Sequence, residues 1–328
     1  MSKLKKNLWP RNVFDMVLLN LSIGLFLILA IHQTNGVSAA GSSLTNNTLP
    51  LTAPLIVPET LANVDPDPRF RWVAAFGTRD LDYISLLMNA VNGQAILAHQ
   101  AFGTRIKGVW GIMLENYKNV NIDITPRLPG RNFENRIAIW GLYSAIRHMA
   151  VTRTFKEARF DLLWDDNIVA IIIISTLEGA RSSHISSVSA YQADFSNASF
   201  TRGEGLQPGF RFLPNGAKLA LQEVFMTVLS TLQILAYWND TEVVYPYTSR
   251  AEGFDCILQV TFGGAQRTSP PFLLVTYVID TVRSIPRFMM QGEVFAELMA
   301  VIIFKGVIIG EALLYRSPWD QSKSILVS

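Results

Sequence analysis

Two loops rich in arginine, glycine and proline are the best candidates for chemistry in this sequence. They are "PRLPGRNFENR", residues 126–136, and "FGGAQRTSPPF", residues 262–272, and each joins a predicted strand to a predicted helix. Anions are favoured there, because free backbone N–H groups and the helix dipole both attract negative charge to a helix N-terminus. Loops of this kind also serve simply as connections. The predicted ligand-binding residues are Arg127, Arg131, Arg136 and Arg267.

The other reactive residue types form no catalytic or metal-binding pattern. His99 and His148 end predicted helices, and His184 lies in a serine-rich stretch. The spacings HxH, HExxH and CxxC and the nucleophile motif G-x-S-x-G do not occur in the sequence. The single cysteine, Cys256, lies in an alternating apolar run that predicts a buried strand position, and it cannot form an intrachain disulfide. We therefore predict no catalytic residue, no metal and no cofactor.

Two arginines and two glutamates recur at matching places in the two parts of the chain. Arg147 and Arg283 lie late in a predicted helix, and Glu157 and Glu297 lie early in the strand that follows. We predict structural ion pairs Arg147–Glu157 and Arg283–Glu297 that tie each helix to the edge of its sheet. The alternative is a paired anion site across a pseudo-twofold axis.

The spacing of apolar residues predicts the elements that carry these groups. Alternation predicts strands and a helical stripe predicts helices. The predicted strands cover 69–76 and 119–125, the helices 81–100 and 133–151, and a hairpin 157–164 and 168–175. The order is β-α-β-α-β-β, and two helices against four strands indicate a two-layer α+β unit.

The same order of apolar patterns recurs in the second part of the chain. At an offset of 136 residues, the alternating residues of 120–124 fall on those of 256–260, and without a gap Arg131 falls on Arg267 and Arg147 on Arg283. The first helix matches at an offset of 138 and the hairpin at 140. The predicted fold class is therefore α+β, with two tandem β-α-β-α-β-β repeats related by pseudo-twofold symmetry, each a helix pair packed on an antiparallel or mixed sheet.

The apolar stretch 298–314 has a second interpretation as a membrane helix. Lys305 and Gly306 at its centre and Glu311 argue against that interpretation. The equivalent stretch of the first repeat contains Asp165 and Asp166, which is typical of a turn. We therefore predict a second hairpin there.

The first 39 residues form an apolar leader with a basic start. The leader is either a signal peptide cleaved near Ala40 or a signal anchor that spans a bilayer through residues 13–33. In both cases the body of the protein lies on the lumenal or extracellular side. The predicted domains are the leader 1–39, a Ser/Thr/Pro-rich stalk 40–65, repeats 66–175 and 209–315, a Ser-rich linker 176–208 and a tail 316–328.

The charge distribution of the chain and its N-glycosylation sequons are both consistent with export. The net charge is +2, and because the leader carries +3, the rest of the chain carries −1 without a basic run. This balance argues against a nucleic-acid partner. Three N-x-[ST] sequons are candidate glycosylation sites, at Asn46, Asn197 and Asn239. The expected partner is an extracellular or cell-surface ligand, with membrane contact only through residues 13–33.

Three stretches carry a resemblance to a known group. They are Asp67-Pro68-Arg69-Phe70, the helix from Ile139 to Ala150 and the helix from Glu223 to Leu229. Together with the apolar leader they resemble secretory-pathway proteins predicted in filamentous fungi, over most of residues 66–315. The resemblance implies a compartment and an origin, and it carries over no catalytic residue.

The leading functional hypothesis is a non-enzymatic binding or structural module of the secretory pathway, exported or displayed at the cell surface. One alternative is a hydrolase-type enzyme with a site between the two repeats. The other alternative is a scaffold anchored in the membrane by a single span.

Overall fold

The structure is a computed structural model that describes residues 66–176, 205–263 and 270–317, all within one compact unit. The first of these ranges is called the first half here, and the other two form the second half. The helices are α1 Tyr83–Ala98, α2 Asn135–Thr152, α3 Leu221–Leu235 and α4 Val275–Gly292. In the first half the strands are β1 Phe70–Asp80, β2 Arg105–Lys107, β3 Trp110–Ile112, β4 Val120–Pro126, β5 Asn132–Glu134, β6 Lys156–Trp164 and β7 Asn167–Thr176. In the second half they are β8 Leu206–Phe212, β9 Tyr247–Arg250, β10 Cys256–Phe262, β11 Leu298–Phe304 and β12 Val307–Arg316.

The strands form two separate five-stranded sheets and one two-stranded ribbon. The sheet orders are β1-β6-β7-β4-β3 and β8-β11-β12-β10-β9, and the ribbon pairs β2 with β5. Every pair of neighbouring strands is antiparallel. The mixed α+β class is thus confirmed and the sheets are antiparallel. The edge strands β3 and β9 and the ribbon were not predicted, because runs of three or four residues leave almost no periodicity.

The inner face of each sheet is packed against helices. In β7, Ala170, Ile172 and Ile174 are fully buried, while the side chains between them are only partly covered. A Cβ on Gly141 of α2 would overlap the side chain of Leu162 and crowd that of Ile172, so the helix and the sheet approach each other here more closely than a larger residue would allow. Period-two alternation therefore places one complete row of β7 in the core.

Helices α1 and α3 lie at the centre of the molecule. In α1, 13 of 16 residues are buried, and in α3, 12 of 15. Each helix packs on its own sheet, α1 on β4 and α3 on β10, and the two helices contact each other directly. Helix α1 also contacts α4, and α2 contacts α3. The order of layers is therefore sheet, helix pair, helix pair, sheet.

The stretch 298–314 forms two strands, which rules out a membrane helix there. Its turn, Lys305-Gly306, has φ values of 49° and 79°, and the corresponding turn Asp165-Asp166 has 50° and 61°. Two consecutive residues with positive φ make a tight hairpin turn whose twist matches that of the strands. No helix within the described ranges is both long and apolar enough to cross a bilayer.

The sequence alignment of the second helices is corrected by one helical turn. Strands β4 and β10 begin at Val120 and Cys256, an offset of 136, but α2 and α4 begin at Asn135 and Val275, an offset of 140. The second half thus has four more residues between strand and helix. A slip of four residues keeps an apolar stripe on the same helix face, so the pattern alone did not detect it.

Several predictions concern residues beyond the described ranges. These are the leader 1–39, the stalk 40–65, most of the linker (177–204) and the tail from 318 onward. The linker and tail were predicted slightly too long, because β8 begins at Leu206 and β12 ends at Arg316. Cys256 is buried at the start of β10, as predicted, and burial raises the pKa of its thiol to about 12.

The close contact at Gly263 gives a test of the second sheet. A Cβ there would lie 2.9 Å from the backbone nitrogen of Gly310 and 3.1 Å from the backbone carbon of Ile308, and backbone atoms cannot yield without distorting the sheet. We expect Gly263→Ala to lower the free energy of unfolding in urea by about 1–3 kcal/mol. At Gly209 in β8 a Cβ meets nothing within 4 Å, so Gly209→Ala is the matched control, expected within about 0.5 kcal/mol of wild type. Equal effects of the two substitutions would contradict the packing described.

Candidate functional site

One end of the molecule gathers several of the groups that sequence analysis singled out, among them His99, Arg127, Arg131 and Arg136. Helices α1 and α3 end there, and α2 and α4 begin there. His99, which caps the end of α1, contacts Asp240 after α3 and Asp280 in α4. Loop 126–131 and the ribbon β2–β5 lead into the start of α2 at this end. The candidate site is therefore assembled from both halves.

The first part of the site is a set of four exposed cations, called the basic ribbon here. They are Arg105 and Lys107 on β2 and Arg127 and Arg131 on the adjoining loop. Within the described ranges, no carboxylate forms an ion pair with any of them. A turn closed by the Arg131 N–H donating to the Leu128 carbonyl (3.1 Å), with Gly130 at φ +75°, separates Arg127 from Arg131.

The predicted ligand residue Arg136 differs from its neighbours. Its guanidinium forms an ion pair with Glu134 (2.5 Å) and lies 4.6 Å from the ring centroid of Trp164. Arg69 covers the same ring at 4.3 Å. Arg136 is thus half-buried and held by partners of its own, whereas Arg127 and Arg131 are exposed. The fourth predicted residue, Arg267, lies outside the described ranges.

The ion pair predicted between Arg147 and Glu157 is wrong. Arg147 pairs instead with Glu252 at 2.6 Å, on the turn between β9 and β10. Glu157 accepts hydrogen bonds from the backbone N–H (3.0 Å) and hydroxyl (2.8 Å) of Thr176, and lies 4.0 Å from Arg79. The physical reason is alternation along β6, where Ala158 is buried under the helices and Glu157 faces the opposite side of the sheet.

The pair predicted between Arg283 and Glu297 is wrong for the same reason. Leu298 is buried beneath the helices, so Glu297 faces away from them and accepts a hydrogen bond from the Arg316 N–H (3.0 Å). Arg283 pairs with Asp280 at 3.1 Å. Arg147 lies 12 residues after the first residue of α2 and Arg283 lies 8 residues after the first residue of α4, so the two arginines occupy different positions in their helices.

The second part of the site is a partly buried ionic cluster, called the polar junction here: His99, Asp240, Asp280 and Arg283. His99 Nδ1 lies 3.0 Å from Asp240 Oδ2, and Nε2 lies 3.4 Å from Asp280 Oδ1. The side chains of His99 and Asp280 are 8% and 4% exposed. Burial lowers the pKa of His99, but hydrogen bonds to Asp240 and Asp280 outweigh it and raise the pKa from 6.5 to about 9.

A second cluster, called the aromatic junction here, also joins the two halves. It comprises Phe102, Trp140 and Tyr237. The Trp140 Nε1–H donates to the Tyr237 hydroxyl oxygen at 2.7 Å, and the Phe102 and Tyr237 rings are 4.2 Å apart. Sequence analysis missed both junctions, because each joins residues about a hundred or more positions apart and no short-range spacing signals such a contact.

The remaining candidates are isolated. Burial raises the pKa of Asp123 on β4 and of Glu311 on β12, but these carboxylates belong to different sheets. In the part of the chain that the structure describes, no three His, Cys, Asp or Glu residues are grouped to hold a metal ion. Of the predicted glycosylation sites, Asn239 is exposed and donates to Glu242 (2.6 Å), while Asn46 and Asn197 lie outside the described ranges.

Comparison with known proteins gives no family. No protein-family model matches the chain, and no curated protein matches it either. Among solved structures, the chain is similar to the tandem DUF26 ectodomain of the Arabidopsis thaliana cysteine-rich receptor-like protein PDLP8. The identity is 8%, the match covers 75% of this chain and 97% of that one, and the TM-score is 0.21. A likeness at that TM-score carries no argument about fold or function.

The aromatic junction gives a test of how strongly the halves are joined. Trp140 is 3% exposed, so removal of the Tyr237 hydroxyl leaves a buried indole N–H without its acceptor. We expect Tyr237→Phe to lower the free energy of unfolding in urea, followed by tryptophan fluorescence, by about 1–3 kcal/mol. The control is Tyr245→Phe, since Tyr245 is 58% exposed and its hydroxyl is expected to contribute nothing measurable. A Tyr237→Phe protein as stable as the control would disprove the importance of this hydrogen bond.

Proposed function

We propose that this protein is a non-enzymatic module of the secretory pathway that binds an anionic ligand through the basic ribbon. The observation that carries the proposal is the grouping of four exposed cations on one paired ribbon and its adjoining turn. Arg136, held by Glu134 and Trp164, supports the base of this surface and does not contact ligand.

The register of the ribbon supports a shared binding surface. Ile106 pairs with Phe133 and both are buried, so Arg105 and Lys107 face the opposite, solvent side of β2. Residues two apart on a strand are separated by about 6.6 Å. Lys107 pairs with Asn132, the residue after Arg131, so the backbone of Arg131 adjoins the end of the ribbon that carries Lys107.

The chemistry of these side chains indicates the class of ligand. Arginine binds carboxylate, sulfate and phosphate groups in a bidentate manner, and three of the four cations are arginines. A single exposed ion pair contributes only about 0–1 kcal/mol. A ligand with many negative charges contacts several cations together, which raises its total affinity. We therefore infer an acidic polysaccharide as the ligand, a class suited to an exported protein.

Export is supported by features of the sequence. The basic, apolar leader 1–39 and the resemblance to fungal secretory-pathway proteins both favour a lumenal or extracellular body. The exposed amide of Asn239 is compatible with glycosylation. A leader that is retained would make the protein a single-span anchored module with the same binding surface.

We also propose that the two halves are copies related by pseudo-twofold symmetry. Hydrogen bonds at matching positions support this relation. The Leu81 N–H donates to Phe155 O at 2.9 Å, and the Leu219 N–H donates to Phe295 O at 3.0 Å. The carboxylate of Glu157 accepts from the backbone of Thr176 and that of Glu297 from Arg316, both at 3.0 Å.

The ligand is tested by binding of the full chain to immobilised polygalacturonate and dextran sulfate, with uncharged dextran as reference. We expect binding that weakens steeply as NaCl is raised, because salt screens exposed charges. A variant with glutamine at positions 105, 107, 127 and 131 is expected to lose roughly tenfold or more in affinity, about 1.4 kcal/mol.

The matched control removes the same charge elsewhere. Four exposed cations from four separate segments, Lys118, Arg153, Lys218 and Arg287, are replaced by glutamine, with an expected change in affinity of less than about twofold. Equal losses in the two variants would overturn the assignment of the ribbon. Binding to vesicles containing phosphatidylserine without binding to either polysaccharide would overturn the ligand class.

Export is tested by N-terminal sequencing and intact mass of the protein from medium and from membranes. We expect either a chain that starts near Ala40 in the medium or an intact leader in the membrane fraction. An intact chain in the soluble cytosol would contradict export, without bearing on the binding surface.

A further inference from the structure

We propose that the polar junction is a proton-dependent latch between the two halves of the fold. His99 belongs to the first half, and Asp240, Asp280 and Arg283 belong to the second. The latch closes the same end of the molecule at which the basic ribbon lies, and it does not depend on the proposed ligand.

The geometry favours a charged histidine. Each ring nitrogen of His99 faces a carboxylate oxygen, at 3.0 Å from Asp240 and 3.4 Å from Asp280. A neutral imidazole has only one N–H donor, so it would turn a lone pair toward one of the two carboxylates. Only the imidazolium ion donates from both nitrogens.

The charges of the cluster balance when the proton is present. Within the residues that the structure describes, the charged groups that face His99 are Asp240, from the loop after α3, and Asp280, from α4. Arg283, one turn further along α4, faces Asp280 at 3.1 Å. Two cations then offset two anions in a site where His99 and Asp280 are almost completely buried. Loss of the proton leaves a net negative charge there, which is costly in a buried site.

The aromatic junction occupies the pseudo-symmetry-related position in the fold, and it contains no histidine and no carboxylate. Helices α1 and α3 begin at Tyr83 and Leu221, an offset of 138, which makes Tyr237 the counterpart of His99. The offset of 140 between α2 and α4 makes Trp140 the counterpart of Asp280. One junction is therefore sensitive to protons and its counterpart is held by ring packing and a neutral hydrogen bond.

The latch is also connected to the base of the basic ribbon. The side-chain amide of Asn135, at the start of α2, donates to the carbonyls of Leu97 (2.8 Å) and Gln100 (3.1 Å), on either side of His99. The Asn135 backbone N–H donates to the carbonyl of Thr104 (2.7 Å), the residue before β2. Release of His99 is therefore expected to loosen residues 99–107 as well as the facing segments.

The direction of the pH effect follows from the pKa of His99. It is raised in the folded protein, to about 9 from 6.5, so the stabilisation is complete below pH 6.5 and is lost as pH rises through about 9. Between these values the contribution of His99 to the folding constant falls by about a factor of ten per pH unit. From mildly acidic to neutral conditions the latch holds the halves together.

The test compares urea unfolding of the full chain with that of His99→Asn, which is neutral at every pH, between pH 6 and 9.5. We expect the variant to be less stable than wild type by about 100-fold or more in the folding constant at pH 6.5, and this difference to shrink steadily toward pH 9.5. The control is His148→Phe, because Phe288 occupies the equivalent position of α4. A pH trend of the same size in His148→Phe would contradict the assignment of the effect to His99.

Two further measurements locate the effect. In wild-type protein labelled at histidine, the NMR signal that disappears in His99→Asn is expected to titrate near pH 9. At pH 7, hydrogen exchange in His99→Asn is expected to rise most in peptides covering 99–107, 236–244 and 275–284 and to rise less in 156–176. A His99 signal that titrates at or below pH 6.5, or a stability difference independent of pH, would overturn the latch.

Discussion

The burial of α1 and α3 against each other is the constraint on which the remaining structure depends. A helix buried on all sides needs partners for the polar groups that it carries into the core. In α1, the Asn89 side chain donates to the carbonyl of Val120 (2.7 Å) and accepts from the Leu114 N–H (2.8 Å). In α3, the Thr227 hydroxyl donates to the carbonyl of Cys256 (3.1 Å). Each central helix is thus fastened to the strand of its own sheet, β4 or β10.

These hydrogen bonds hold each helix on its own sheet, but they do not determine how the two halves are oriented relative to each other. Other contacts determine that orientation. At the end of the molecule where α1 and α3 terminate, the polar and aromatic junctions join helix ends to the facing helices. At the side, Arg147 reaches Glu252 on the opposite half at 2.6 Å, but this pair is largely exposed on the glutamate side and contributes little. The buried contacts of the two junctions therefore contribute most to fixing the orientation of the two halves. They lie at the same end of the molecule as the basic ribbon.

The arginines of the loop 126–136 illustrate how one stretch serves two purposes. Arg136 points back to the aromatic rings and is neutralised by Glu134, so it anchors the start of α2. Arg127 and Arg131 lie on either side of a tight turn and remain in water. The sequence predicted the loop as a candidate site, but residue type alone does not separate an arginine that supports the fold from one that meets a ligand. That difference depends on whether a ring and a carboxylate lie within reach.

Local pattern determined the elements of this protein, because hydrogen bonding and side-chain alternation within a few residues decide strands, helices and hairpin turns. Hence the hairpins at 165–166 and 305–306, the buried position of Cys256 and the α+β class follow from the sequence. Tertiary structure alone decided the partners of the charged residues, since each choice depends on which face of a strand or helix meets another element. It also decided the meeting of His99 with Asp240 and Asp280, which are distant in sequence and come together only when the two halves pack.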